Sequence, residues 1–290
     1  MPGRTPIVVG VDPDPARRGA LAWAADAADR RRLPLLLVLA QNLPTPGHRP
    51  TGGRPSWEEW NESLHATGER ALREAVAFVE SRYPRVGVSG LLAEGHPAWV
   101  LEEQARHAAQ VVLGSWHLNA RRELFTSAAV ALPVITHSPC PVVVVPESGR
   151  AARQPPYVVV GVDGSPESAA AVDVAIEEAA LRGATLRALW VWHAPWLGVP
   201  DEAAVQECRR LLAETVSGRA ADHPEVDLRH EVLSGHPVEV LAKASEDALG
   251  VVVGTRGHGG FTGMLLGSVG QGLLHHARCP LIAVPRAHGR

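Results

Sequence analysis

Residues 254 to 268 read Gly254-Thr255-Arg256-Gly257, nine further residues, then Gly267-Ser268, directly after the apolar run Val251-Val252-Val253. An apolar strand that ends in a glycine-rich turn and passes into a helix offers bare backbone N–H groups to an anion, above all to phosphate. Glycine at 257 and 267 is expected to supply positive φ and to keep side chains away from phosphate oxygens. Ser268 is expected to open the helix, as N-cap or as a hydroxyl donor to phosphate, with the helix dipole favouring the anion. A second polar group stands at the end of another apolar run, in Val162-Asp163-Gly164-Ser165. There a carboxylate needs a partner, and a ribose hydroxyl is a suitable one. Asp-Gly-Ser-Pro is also a good turn with Ser165 as helix cap, and glycines also serve plain turns. The joint spacing favours a nucleotide site.

The elements that must carry these groups occur twice. Ile7-Val-Val-Gly-Val-Asp12 matches Val158-Val-Val-Gly-Val-Asp163, Glu94-Gly-His-Pro97 matches Ser234-Gly-His-Pro237, and Val111-Val-Leu-Gly114 matches Val251-Val-Val-Gly254. Both copies close on a strand between prolines, Pro141 to Pro146 and Pro280 to Pro285. The offset is 151 residues at the first pair and 140 at the second. The first copy therefore carries about eleven extra residues, placed in the Pro- and Gly-rich stretch Asn42 to Trp60. A chain of 290 residues, 46% hydrophobic, fits two globular domains divided within Glu147 to Pro156.

In the second copy, strand-length apolar runs alternate with helical periodicity: Tyr157 to Val162, Ser168 to Arg182, Thr185 to Trp192, Asp201 to Ala220, Leu228 to Leu233, Pro237 to Asp247, Gly250 to Val253, Ser268 to His276 and Leu281 to Val284. This is an α/β pattern. It predicts two tandem, doubly wound, five-stranded parallel-sheet domains with helices on both faces, residues 1–148 and 155–290. A ligand then belongs beyond the carboxyl ends of the strands, at the switch in strand order.

With these motifs in hand, the chain resembles a tandem universal stress protein, and the resemblance covers both halves. It implies a Rossmann-like fold of the adenine nucleotide alpha hydrolase type and a regulatory or protective role under stress. The implied ligand is ATP, with or without Mg, held by the second half. On the resemblance, Val162 and Asp163 contact ribose and adenine, Val191 lines the adenine pocket, and Gly254, Arg256, Gly257, Gly267, Ser268 and Val269 surround ribose and phosphates. Gly270 departs from the family pattern, which often has a second Ser or Thr there. Pairing through the final strands, edge to edge and antiparallel, is expected within the chain, Val142 to Val145 against Leu281 to Val284. A homodimer is also compatible with the sequence.

The first half departs from the motif. Gly114-Ser115-Trp116-His117, nine residues and Ser127 replace two of the three glycines, so weak or no ATP binding is expected, and Asp12 reads as a turn or cap residue. A rival reading stacks an altered ligand on Trp116. Net charge is −3 with both signs interspersed, which argues against nucleic acid. Lys243 is the only lysine and no Gly-Lys-Ser/Thr exists, which excludes a P-loop. No apolar stretch is long enough for a membrane span, and a cytoplasmic protein is expected. Cys140, Cys208 and Cys279 are expected to stay unpaired, the matched pair as buried thiols rather than a redox couple. The adjacent His275 and His276 lack metal-ligand spacing, and His258 is expected in solvent. Trp190 and Trp192 share a sheet face, and Trp196 is a candidate flank for adenine. Without a nucleophile elbow, carboxylate pair or triad, the chain reads as no enzyme; slow ATP hydrolysis and a ligand-free interaction scaffold are the alternatives.

Overall fold

A computed structural model describes residues 5–14, 17–41, 57–115, 124–147, 154–192, 202–257 and 266–286. The first half runs β1 (Ile7–Gly10), α1 (Gly19–Arg31), β2 (Leu35–Gln41), α2 (Trp57–Arg82), β3 (Val88–Glu94), α3 (Pro97–Ala105), β4 (Gln110–Ser115), α4 (Leu124–His137) and β5 (Val142–Pro146). The second runs β6 (Tyr157–Gly161), α5 (Pro166–Arg182), β7 (Thr185–Trp192), α6 (Glu202–Ser217), β8 (Leu228–Ser234), α7 (Pro237–Ala244), β9 (Gly250–Gly254), α8 (Ser268–His276) and β10 (Leu281–Val284). A short 3₁₀ turn, Ala220–Asp222, follows α6, so the predicted helix to Ala220 stops three residues early.

Strand order is β3-β2-β1-β4-β5-β10-β9-β6-β7-β8, one ten-stranded sheet. Within each half every pairing is parallel. The unbroken valine runs follow from burial on both faces. Along β5, Val143 and Val145 pack toward α1, α2 and α5, whereas Val142 and Val144 pack toward α3, α4, α7 and α8. The repeated Gly-His-Pro is a fixed device. Gly95 and Gly235 take φ of 133° and 146°, conformations that favour glycine, and Pro97 and Pro237 then occupy the first turns of α3 and α7.

The halves meet where β5 and β10 pair antiparallel, in the register Val142↔Ala283, Val143↔Ile282 and Val144↔Leu281. Beside this seam, α1 and α5 exchange charges. Arg182 reaches Asp26 at 2.8 Å and Arg31 reaches Glu177 at 3.5 Å. These two pairs are equivalent under the 151-residue offset, so the contact is a pseudo-two-fold repeat of itself. Glu178 breaks the symmetry: its two carboxylate oxygens accept from Arg31 at 2.8 Å and from Arg182 at 3.1 Å, and it is 1% exposed. Trp23 lies under the Arg182 guanidinium, 5.2 Å from ring centre.

Removing Glu178 takes the shared carboxylate from two largely buried guanidiniums, leaving Arg182 with Asp26 and Arg31 with Glu177, whereas the Glu177 carboxylate is half exposed. Glu178→Ala is expected to lower stability by about 3 kcal/mol, and Glu177→Ala by about 0.5 kcal/mol. Urea unfolding checks this; equal, small shifts for both would show that the cluster does not hold the halves together.

Candidate functional site

The switch in strand order of the second half falls between β6 and β9. Three segments converge there: the end of β6 with Val162 and Asp163, the end of β9 with Gly254, Thr255, Arg256 and Gly257, and the start of α8 with Gly267, Ser268 and Val269. Backbone bonds close the glycine loop onto itself and onto the sheet. Gly267 donates its N–H to the Thr255 carbonyl at 2.9 Å, and Thr255 donates to the Val284 carbonyl at 2.9 Å. Residues 258–265, His258 included, lie outside the described residues, as does Trp196.

The Asp163 carboxylate has two roles. Its Oδ1 accepts from the Ser165 backbone N–H at 3.0 Å and from the Ser165 hydroxyl at 2.6 Å, and Ser165 in turn caps α5 by accepting from Ser168 N–H at 3.1 Å. That is the turn-and-cap role the sequence allows. Its Oδ2 faces the glycine loop, 2.2 Å from the point a Cβ on Gly257 would occupy. A side chain at 257 would therefore force the Asp163 carboxylate to move.

The expectation of positive φ at 257 and 267 is not met. Among the described residues, positive-φ glycines are Gly95, Gly164, Gly183 and Gly235, and Gly267 has φ −58°. Local sequence shows that glycine is required but not whether space or torsion requires it. Nor is Ser268 the N-cap. Gly267 holds that position, and Ser268 is the first, exposed residue of α8, which begins without a side-chain cap. At Gly267, among the described residues, an added Cβ would meet nothing closer than the Thr255 carbonyl at 3.5 Å. At Gly270 a Cβ would stand 3.1 Å from a methyl of buried Leu266, a tight contact that Leu266 would have to relieve.

The hydrophobic candidates divide. Val162 is 4% exposed and its side chain packs with α5 and β6, on the face opposite Val191 and Val269, so any contact it makes with a ligand runs through its backbone. Val191 and Val269 are half-buried against one cluster with Leu241 and Leu266. Arg256 is exposed. Glu167, in the first turn of α5, was not legible as part of the site. Its Cβ and carbonyl carbon lie 2.8 and 2.9 Å from where a Cβ on Gly254 would be, so it fills the space behind the loop.

In the first half, Asp12 repeats the Asx turn, accepting from Asp14 N–H at 2.8 Å, and it pairs with Arg17 at 3.2 Å. Trp116 and His117 lie outside the described residues. The strand ends here bound a cavity of about 460 Å³. Burial pushes the Cys140 thiol up despite the nearby Ser138 hydroxyl, and pushes Cys279 up to about 11. Both are buried, whereas Cys208 on α6 is partly accessible.

The family profile described as the universal stress protein family matches residues 3–146 and 157–285. Two universal stress proteins of Mycobacterium tuberculosis are 32% identical over 285 residues and 33% identical over 287, with 95% of both chains covered in each case. A crystal structure of a universal stress protein from Archaeoglobus fulgidus superimposes with a TM-score of 0.72 at 16% identity, covering 98% of both chains; this likeness concerns the fold.

Gly257→Ala is expected to displace the Asp163 carboxylate and cost about 2 kcal/mol, and Gly267→Ala no more than about 1 kcal/mol; thermal unfolding of both checks which glycine answers to a protein atom. Thiol accessibility gives a second measurement. At pH 8 a thiol of pKa about 11 is thiolate in roughly one molecule per thousand, so iodoacetamide is expected to alkylate Cys208 in the native protein well before Cys279. Peptide mapping that finds Cys279 modified first would overturn the assignment of a closed environment.

Proposed function

The chain belongs to the universal stress protein family, and from that membership we propose that its second half, residues 155–290, binds ATP as a regulatory ligand in a stress response. The observation that carries this reading is the meeting of Asp163 with a loop that bears no side chain at 257 or 267, beside the uncapped start of α8. An uncapped helix start leaves first-turn N–H groups to an anion, and a carboxylate one strand away suits a ribose hydroxyl. In this reading Asp163 and the Val162 backbone take ribose and adenine, Val191 lines the base, and Gly254, Arg256, Gly257, Gly267, Ser268 and Val269 surround ribose and phosphates. Glycine at 267, which no atom of the described residues demands, leaves room for a phosphate oxygen. Bound ATP then biases conformation or partner choice rather than serving as a substrate.

No helix among the described residues is long and apolar enough to cross a membrane, and the reading places the protein in the cytoplasm. The antiparallel β5–β10 seam would serve within one chain as the pairing surface of two domains.

Calorimetric titration is expected to give one ATP per chain. Gly257→Asp, which sets a second carboxylate against the phosphates, is expected to abolish binding, and Asp163→Ala to weaken it by about tenfold, the worth of one hydrogen bond to a charged group. Absence of binding at millimolar ATP would sink the reading, and multiple-turnover phosphate release lost in Asp163→Ala would replace it with an ATPase.

A further inference from the structure

Ser165 is 3% exposed and is engaged in two directions. Its backbone N–H and its hydroxyl both donate to Oδ1 of Asp163, at 3.0 and 2.6 Å, while the same hydroxyl accepts the Ser168 N–H at 3.1 Å and so caps α5. A hydroxyl carries one donor and two acceptor positions, so the two bonds coexist. The carboxylate torsion of an aspartate is intrinsically broad. Two donors from one residue on one oxygen narrow it. With Oδ1 tied to the cap, the rest of the carboxylate is turned to the glycine loop, where a Cβ on Gly257 would run into Oδ2. The Ser165 hydroxyl thereby links the start of a helix to the group that faces the loop, and its burial strengthens the bond.

The first half shows the alternative. Under the 151-residue offset, Asp14 stands where Ser165 does and Arg17 where Ser168 does. The backbone part of the turn is common to both halves, since Asp12 Oδ1 accepts from the Asp14 N–H at 2.8 Å. The side-chain part differs. A carboxylate has no proton to donate, so Asp14 cannot hold Asp12 as Ser165 holds Asp163. Arg17 instead joins the two acids, 3.2 Å from Asp12 Oδ2 and 3.1 Å from Asp14 Oδ2, and α1 begins without a side-chain cap. One turn therefore brings the second oxygen of Asp12 to a guanidinium and that of Asp163 to a glycine, according to the side chains two and five positions on.

We propose that Ser165 is a positioning residue for the nucleotide site: its hydroxyl locks the Asp163 carboxylate against the glycine loop, so that Oδ2 is the oxygen that meets a nucleotide held there. The ligand in this inference rests on the ATP reading above, whereas the lock is a property of the folded chain.

Two measurements test it, and the first needs no nucleotide. An alanine methyl at 257 pushes on a carboxylate that Ser165 holds in place; in the Ser165→Ala background the carboxylate can yield. The fall in melting temperature on Gly257→Ala is then expected to be about half of that in the unaltered background. An equal fall in both backgrounds would overturn the lock. The second measurement is titration with ATP. Ser165→Ala is expected to weaken binding about fivefold, the worth of one hydrogen bond, and Ser165→Thr, which keeps the hydroxyl, to stay within about twofold of the unaltered protein. Ser165→Gly caps a helix nearly as well as serine, so it is expected to weaken ATP as alanine does while losing less stability. In the Asp163→Ala background, Ser165→Ala is expected to cause no further loss. A second fivefold loss there would show that Ser165 does not act through Asp163 and would overturn the assignment. Should the unaltered protein bind no ATP, the ligand reading fails and the melting comparison alone decides the lock; should Ser165→Ala not fold, Ser165→Gly takes its place in both measurements.

Discussion

The pairing of β5 with β10 constrains the rest of this molecule. Each half ends on a valine- or leucine-rich strand whose free edge would present unpaired backbone groups. Running antiparallel, the two strands satisfy one another and merge two parallel five-stranded sheets into one. Strand pairing is indifferent to sequence, so something must fix which edges meet. The α1–α5 cluster suits that task, because the buried Glu178 carboxylate accepts from Arg31 of one half and Arg182 of the other when the two helices lie together. Buried ion pairs contribute little net stability against a hydrophobic alternative, yet removing one partner is costly because it leaves a buried charge less compensated.

The seam also decides where the two switch points lie. Strands within a half are parallel and the halves are antiparallel to one another, so the carboxyl ends of β1 and β4 and those of β6 and β9 lie at opposite edges of the sheet. The two switch points are thus separate environments that can diverge independently. One keeps bare glycines, an inward carboxylate and a filled space behind the loop. The other meets a helix that starts at Gly19 and borders a cavity.

Much of this was legible in the residues. Thr185–Trp192, Ser268–His276 and Leu281–Val284 fall where the apolar runs and periodicity put them, because buried parallel strands and amphipathic helices leave different patterns. Asp163 and the loop glycines meet as their spacing implies. The reasons for individual residues were less legible. Gly257 is crowded by the Asp163 carboxylate, 94 positions away in sequence, and no local pattern distinguishes that from a torsional need. Glu178 reads as one more acid on a helix until α1 is brought against it. The shortened α1 was hidden by Pro13 and Pro15, which suit a turn and a helix start equally well.

The contrast between α1 and α5 shows how one repeat accommodates both demands. Their last residues, Arg31 and Arg182, are equivalent, and each carries the contact across the pseudo-two-fold. Their first residues are not equivalent: α5 begins with a Ser165 cap and Glu167 behind the glycine loop, whereas α1 begins four residues later, against a cavity. A helix can lose its first turn without disturbing its last, since each backbone hydrogen bond spans only four residues. Divergence at the ligand end is therefore compatible with a preserved interface. The same helices run from each switch point to the charge cluster, so both ends are built on the elements that carry the seam.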